Sequence, residues 1–122
     1  LDFGHLVMAL TDDRGVEVVL NAVGTLAFKS CWTGMSQYGR MVMVGQLGRG
    51  EVSINPAEML FKDAHIIGVS GTSKSQLGDV IKLVSSGRIQ PVVSQTFPLE
   101  EASEAYTTIL EKASFGRVTL TP

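Results

Sequence analysis

Apolar residues occur along this chain in short runs that end at glycine or at small polar residues. Three such runs, at residues 16–20, 40–44 and 65–69, are rich in valine, isoleucine and methionine. Their length and their flanking turns favour buried parallel strands over helices. Residues 91–97 and 116–121 predict two further extended segments, and Pro91 suits the edge of a sheet.

Helical periodicity fills the intervals between these runs. Asp2 and Thr25 are expected to cap the first two helices, Pro56 to begin the third, and Ser73 with Gln76 to form a capping box before the fourth. A fifth helix is expected after Pro98. Apolar positions three or four residues apart predict these buried faces: Phe3, Leu6, Val7 and Leu10; Phe28, Cys31, Trp32 and Met35; Leu77, Val80, Ile81 and Val84; Ala102, Ala105, Tyr106, Ile109 and Leu110.

The alternation of strands and helices predicts an α/β fold with a parallel sheet and right-handed crossovers. In such sheets ligands bind outside the carboxyl ends of the strands. Three strands give a narrow sheet whose strand at 16–20 has an unpaired edge. Since doubly wound sheets normally contain more strands, we expect that another part of the protein precedes this chain.

Composition narrows the function classes. The chain has 122 residues, 44% hydrophobic and 18% charged, which predicts a globular domain with a real core. A net charge of −2 without a basic patch argues against nucleic acid as a partner. The apolar runs are too short to span a bilayer, so no membrane partner is expected. One cysteine excludes an intramolecular disulfide and fits a cytoplasmic location.

Other candidate chemistry is weak. Cys31 is expected to lie in the core and not to act as a nucleophile. Because Cys31 is far along the chain from His5 and His65, no zinc site is expected. The pair Asp12 and Asp13 follows a helix, so a helix-ending turn is favoured over a magnesium-binding acidic pair. Residues 70–72 could form a phosphate nest, but a helix cap is favoured there.

Several stretches together resemble the medium-chain dehydrogenase/reductase superfamily. Residues 15–24, GVEVVLNAVG, are similar to its "GVDVVLDAVG" stretch, with Asn21 where many members have aspartate. Residues 39–45 are similar to "GRxVxVG", and residues 55–68 to "NP…L..K…I.G". Residues 87–93, GRIQPVV, resemble "GKIKPVV", and residues 98–118 resemble "PLEEAxEAY…GKVV". These motifs follow the family's order over essentially the whole chain.

The resemblance implies the second half of a Rossmann-like NAD(P)-binding domain at residues 1–90. Residues 91–122 would be a C-terminal β-α-β return that packs on the catalytic domain. Activity would be hydride transfer between a nicotinamide cofactor and an alcohol, a carbonyl compound or an activated alkene. Because the glycine-rich phosphate turn is not in these 122 residues, the chain alone is expected to be inactive. The choice between NAD and NADP, the substrate and any zinc site would depend on residues outside the chain.

The resemblance also implies which positions meet the cofactor. Backbone groups after the three strands would hold the nicotinamide ribose and carboxamide, and a basic residue at the start of the last strand would reach the pyrophosphate. An alternative interpretation is that these are ordinary strand-to-helix turns that need glycine, and that the arginine is a surface residue. The positions are Ala22, Val23 and Gly24; Val44, Gly45 and Gln46; Val69, Ser70 and Gly71; and Arg117.

Two function classes remain open at this point. The first is the oxidoreductase with a small-molecule substrate, which by resemblance would form a homodimer through the strand at 65–69. The second is a non-catalytic binding or assembly module, a half-Rossmann fold that would need another way to cover its sheet edge.

Overall fold

The computed structural model describes residues 2–111 and 115–122. Two compact units divide the chain, Leu1–Gly71 and Thr72–Pro122. The first contains α1 (Gly4–Leu10), β1 (Val16–Asn21), α2 (Thr25–Gly34), β2 (Met35–Met43), α3 (Pro56–Lys62) and β3 (His65–Gly68). The second contains α4 (Lys74–Ser85), β4 (Val93–Pro98), a 3₁₀ turn (Leu99–Glu101), α5 (Ala102–Glu111) and β5 (Arg117–Thr121).

The first unit is built on a three-stranded parallel sheet in the order β1-β2-β3. The predicted α/β class, the parallel pairing and the edge position of β1 are confirmed. Asn21 pairs with Met43, and Met43 pairs with Gly68, so the carboxyl ends of the three strands lie level. The residues that follow the strands are therefore neighbours at one edge of the sheet.

Strand β2 begins earlier than predicted. Met35 was expected on the inner face of the second helix, but α2 ends at Gly34 and Met35 is already extended, with φ −84° and ψ 136°. A register shift follows, because Val16 pairs with Met35 whereas Val18 pairs with Arg40. Tyr38 takes up the extra length in a left-handed conformation, with φ 59°.

The core of this unit lies between α2 and one face of the sheet. Its buried members are Ala27, Phe28, Cys31, Met35 and Met41. Apolar side chains of all three strands pack against it, including Val19, Met43 and Ile66. The helix therefore covers the sheet through the stripe that was predicted for it, and Met35 joins this core from the strand.

Helix α1 buries only part of the predicted face, because Phe3 packs against the core and Val7 is half-buried whereas the two leucines are exposed. Leu6 is 59% exposed and Leu10 is 76% exposed, whereas Gly4 is buried. A Cβ at Gly4 would lie 2.5 Å from the carbonyl oxygen of Ser30 on α2, so the two helices meet through a glycine contact. The predicted cap is also wrong, because the N-cap residue is Phe3 and no side chain caps the helix.

The second unit holds a separate two-stranded parallel sheet of β4 and β5, joined through α5. The predicted capping box of Ser73 and Gln76 at α4 is confirmed. The predicted buried faces of α4 and α5 are not confirmed, because among the described residues Ala105 is the one buried residue of α5 and α4 has none. Periodicity located an apolar face on each helix, but the described residues leave both faces largely open. In the part of the chain described, no helix combines the length and apolarity needed to cross a bilayer.

Candidate functional site

A shallow groove of about 390 Å³ lies at the carboxyl edge of the three-stranded sheet. It is formed where β2 and β3 end, and a backbone hydrogen bond of 3.0 Å from Val69 N to the oxygen of Met43 ties the two strand ends together. Six of the predicted site residues line it with Met43: Val44, Gly45, Gln46, Val69, Ser70 and Gly71.

The turn after β1 lies beside the end of β2, and Asn21 fixes its conformation. The buried Asn21 Oδ1 accepts hydrogen bonds from the amides of Val23 (3.0 Å) and Gly24 (2.8 Å). Its Nδ2 donates to the carbonyl of Gly24 at 3.0 Å. One amide side chain thus satisfies two donors and one acceptor of the turn. An aspartate could accept both bonds but, when ionised, could not donate the third.

The turn after β1 and the loop after β2 contact one another closely. Val44 N donates to the oxygen of Asn21 (2.9 Å), and Leu47 N donates to the oxygen of Val23 (3.1 Å). A Cβ at Gly45 would lie 2.5 Å from the carbonyl oxygen of Ala22. The first predicted triplet therefore supports the second, and Gly45 is required by a contact within the protein.

Gly71 is a different kind of glycine. It has φ +70°, and a Cβ there would have no heavy atom within 4 Å. Because the described residues leave this space open and Gly71 lines the groove, a flat group could approach the backbone there. The backbone amides and carbonyls of Gly45 and Ser70 make no hydrogen bond within the described residues, so they remain available to a ligand.

Arg117 belongs to the second unit, at the first position of β5. Its side chain is exposed, its amide donates to the oxygen of Val92 (2.8 Å), and its carbonyl accepts from Ser94 Oγ (3.2 Å). Nine of the ten predicted residues thus gather at one edge of the first unit, and the tenth lies in the other unit.

Sequence reasoning did not identify what the side chain of Gln46 does. Gly24 is the N-cap residue of α2 and has no side chain, so the predicted cap by Thr25 is wrong. Gln46 Oε1 instead accepts from the amide of Thr25 at 3.0 Å. The available signal was a glycine directly before a helix, which leaves the first amides without a local cap.

Metal-binding and nucleophilic chemistry find little support in the described ranges. No group of three or more histidine, cysteine, aspartate or glutamate side chains is placed to hold a metal ion in residues 2–111 and 115–122. Cys31 is buried in the core, and burial raises the pKa of its thiol, which disfavours the reactive thiolate.

A wider depression of about 760 Å³ lies at the opposite, amino-terminal edge of the sheet. There Lys62 Nζ donates to the oxygen of Trp32 (2.7 Å) and lies 5.1 Å from the centroid of its ring. Burial lowers the pKa of Lys62, and nearby Glu58 opposes that shift in pKa. Since Trp32 O belongs to the last turn of α2, this cluster caps the helix C-terminus.

Comparisons with known proteins show the family of the chain. A family model described as zinc-binding dehydrogenase matches residues 2–120. The chain is 32% identical to the highly reducing polyketide synthase PKS6 of Gibberella zeae, over 98% of the chain and 5% of that protein. It is also 32% identical to the acryloyl-coenzyme A reductase of Sulfurisphaera tokodaii, over 88% of the chain and 32% of that enzyme.

A solved NAD-dependent alcohol dehydrogenase superposes with a TM-score of 0.86 at 30% identity, covering 99% of this chain and 35% of that one. The chain thus spans about a third of the length of these two enzymes and a small part of the synthase. The match over residues 2–120 confirms the resemblance to the medium-chain superfamily, and the chain belongs to the zinc-binding dehydrogenase family.

Proposed function

We propose that the protein is an NAD(P)-dependent oxidoreductase and that the carboxyl-edge groove receives the nicotinamide end of the cofactor. The observation that carries this proposal is the open, glycine-bearing groove at the level ends of three parallel strands in a zinc-binding dehydrogenase chain. The bound cofactor would supply hydride chemistry towards an alcohol, a carbonyl compound or an activated alkene.

The residues of the groove fit a nicotinamide. The ring is flat and carries a carboxamide, which needs both donors and acceptors of hydrogen bonds. Gly45 and Ser70 offer unbonded backbone groups of both kinds, and Gly71 leaves room beside them. Arg117 would reach the pyrophosphate, which stays a prediction from the family resemblance.

The organisation of the whole protein is likewise a proposal. Residues 1–90 would complete a cofactor domain whose glycine-rich turn lies elsewhere in the protein, and residues 91–122 would pack on its catalytic domain. The acryloyl-coenzyme A reductase and the alcohol dehydrogenase are about three times as long as this chain, which supports this arrangement. Any zinc site and the substrate pocket would lie outside these residues. A cytoplasmic location stays a prediction from the single cysteine of these 122 residues.

Binding of NADH and NADPH to the protein at its full natural length tests the proposal. Ser70→Phe would fill the groove, because Ser70 is exposed there. It should weaken the binding of the preferred cofactor at least tenfold. Ser85→Phe makes the same change at an exposed position on α4 and should leave affinity unchanged. The proposal fails if neither nucleotide binds, or if the two variants behave alike.

Turnover gives a separate test. The 122-residue chain alone is expected to show no NAD(P)H-dependent reduction of an enone or an aldehyde, because it contains no glycine-rich phosphate turn. Reduction by the purified chain would contradict this assignment of the catalytic machinery to other residues.

We also propose a homodimer that pairs through β3. This strand is the last in the sheet order, so its outer edge has no neighbour among the described residues, and Ile67 on it is 41% exposed. An unpaired strand edge is a ready partner for its own copy. Sedimentation velocity at micromolar concentration should give the mass of two chains, and a monomer would contradict the proposal.

An uncovered face at β1 favours one alternative, a non-catalytic assembly module. Val18 and Leu20 on this strand are 54% and 69% exposed, which is unusual for apolar residues of a buried parallel sheet. Cofactor binding separates the two functions: a natural-length protein that binds neither NADH nor NADPH but assembles into a stable complex would be such a module.

A further inference from the structure

The side chain of Gln46 spans the turn after β1 and the loop after β2. Its Oε1 accepts from the amide of Thr25 at 3.0 Å, and its Nε2 donates to Thr25 Oγ1 at 2.9 Å. The same Nε2 donates to the carbonyl of Gly48 at 2.6 Å. All three hydrogen bonds of the side chain are made to protein groups, and the two with Thr25 connect the loop after β2 to the turn after β1.

This arrangement replaces a local helix cap. Gly24, at φ 82° and ψ −134°, can offer no side chain to the start of α2. A Cβ at Gly24 would collide with Gln46 Oε1, so the glycine is also what lets the glutamine approach. Because Gln46 takes the amide of Thr25, the first free donor of α2 is not left for an anionic ligand.

We propose that Gln46 is a positioning residue, a clamp that ties the loop after β2 to the start of α2 and so fixes the path of the chain directly after Gly45, beside the place that receives the nicotinamide end of the cofactor. The inference rests on the proposed function for the identity of the ligand. Gln46 lines the groove, but its polar atoms are engaged by Thr25 and Gly48, so its effect on the cofactor is indirect. Ordering a loop before binding removes an entropic cost that the ligand would otherwise meet.

Two substitutions separate capping from clamping. Gln46→Ala removes all three hydrogen bonds. Gln46→Glu keeps an acceptor for the amide of Thr25 but sets a carboxylate against the carbonyl of Gly48, which it cannot donate to. We expect Gln46→Ala to loosen residues 22–26 and 46–50, whereas Gln46→Glu should loosen mainly residues 46–50.

Gln76→Ala is the matched control. Gln76 also caps a helix, through the reciprocal bonds of the capping box with Ser73, but it does so on α4 in the second unit. The substitution Gln76→Ala removes a glutamine cap of the same kind without changing a residue of the groove. In Gln76→Ala, amide hydrogen exchange should become faster at the start of α4 and should not change at residues 22–26 or 46–50.

Hydrogen exchange followed by mass spectrometry, on the protein at its natural length and without ligand, reads the clamp directly. Affinities for NAD⁺ and for ADP-ribose, which lacks the nicotinamide ring, read its consequence. For Gln46→Ala we expect faster exchange in both loops, about tenfold weaker NAD⁺ binding, and ADP-ribose binding within about twofold of wild type. Gln76→Ala should change neither affinity.

Unchanged exchange of residues 46–50 in ligand-free Gln46→Ala would overturn the clamp, since a residue that acts only by touching the ligand would give that result. Equal weakening of NAD⁺ and ADP-ribose would overturn the positioning role, because a general loss of structure would affect both. If the wild-type protein binds neither nucleotide, the proposed cofactor function fails, and exchange alone still decides whether Gln46 clamps the loops.

Discussion

Replacing Asn21 by alanine should be among the most damaging single changes in the first unit. The side chain is 2% exposed and makes three hydrogen bonds with the turn that joins β1 to α2. Alanine leaves the amides of Val23 and Gly24 and the carbonyl of Gly24 without these partners. With about 1 kcal/mol for each net hydrogen bond, and more where a buried group is left unsatisfied, the expected loss is about 2–4 kcal/mol.

Asn55 offers a matched comparison for this change. Asn55→Ala also removes an asparagine that accepts a backbone amide, that of Ala57 at 3.0 Å, but at an exposed helix cap. Its expected cost is about 1 kcal/mol. Asn21→Asp keeps the two accepted bonds and loses the donated one, so we expect its cost to fall between those of Asn21→Ala and Asn55→Ala.

Urea unfolding of the 122-residue chain, followed by the fluorescence of Trp32, measures these differences. Trp32 is the one tryptophan, and it stacks on Phe28 within α2 at a centroid distance of 6.5 Å, so the signal reports the first unit. A midpoint for Asn21→Ala that equals that of Asn55→Ala would refute the reasoning. It would mean that the three bonds at the buried turn contribute no more than one exposed cap.

Three further predictions concern other positions. Gly45→Ala should cost more than 1 kcal/mol in unfolding experiments, because its Cβ would meet the Ala22 oxygen at 2.5 Å, whereas Gly68→Ala has no neighbour within 4 Å and should cost nothing. The free energy of unfolding should fall above about pH 9 in wild type but not in Cys31→Ala, because burial raises the pKa of the Cys31 thiol and the native state therefore binds its proton more tightly than the unfolded state. Parallel pH profiles of the two proteins would contradict this. Lys62→Met should lose about 1 kcal/mol in urea unfolding, through the carbonyl of Trp32, and Lys82→Met, which is exposed, should lose less than half of that.

Hydrophobic patterning located the strands but not the way in which α1 packs. The runs at 16–20 and 65–69 became β1 and β3 with small changes at their ends. The two leucines of the predicted α1 stripe stay exposed, whereas the contact with α2 uses Gly4, whose missing side chain lets the backbones approach. Hydropathy scores a glycine as neutral, so a glycine contact between helices is invisible to a periodicity argument.

The early start of β2 was hidden for a related reason. The predicted stripe of α2 included Met35, because this apolar residue lies three and four positions after Trp32 and Cys31. In the structure, strand pairing with Val16 extends Met35, and Tyr38 accepts a left-handed φ to restore register. Strand pairing overrode helical periodicity at Met35, and the available signal was Gly34 directly before it, a residue that often ends a helix.

The three strand ends differ in how their polar groups are used, and this decides where a ligand can bind. After β1, Asn21 satisfies the amides of the turn. After β2, Gly45 is held against Ala22 while its own backbone groups stay unbonded. After β3, Ser70 is exposed and Gly71 faces open space. Equal-looking small residues in the sequence therefore have unequal roles. A ligand at this edge would take its hydrogen bonds between β2 and β3, and β1 would contribute by keeping that gap in shape.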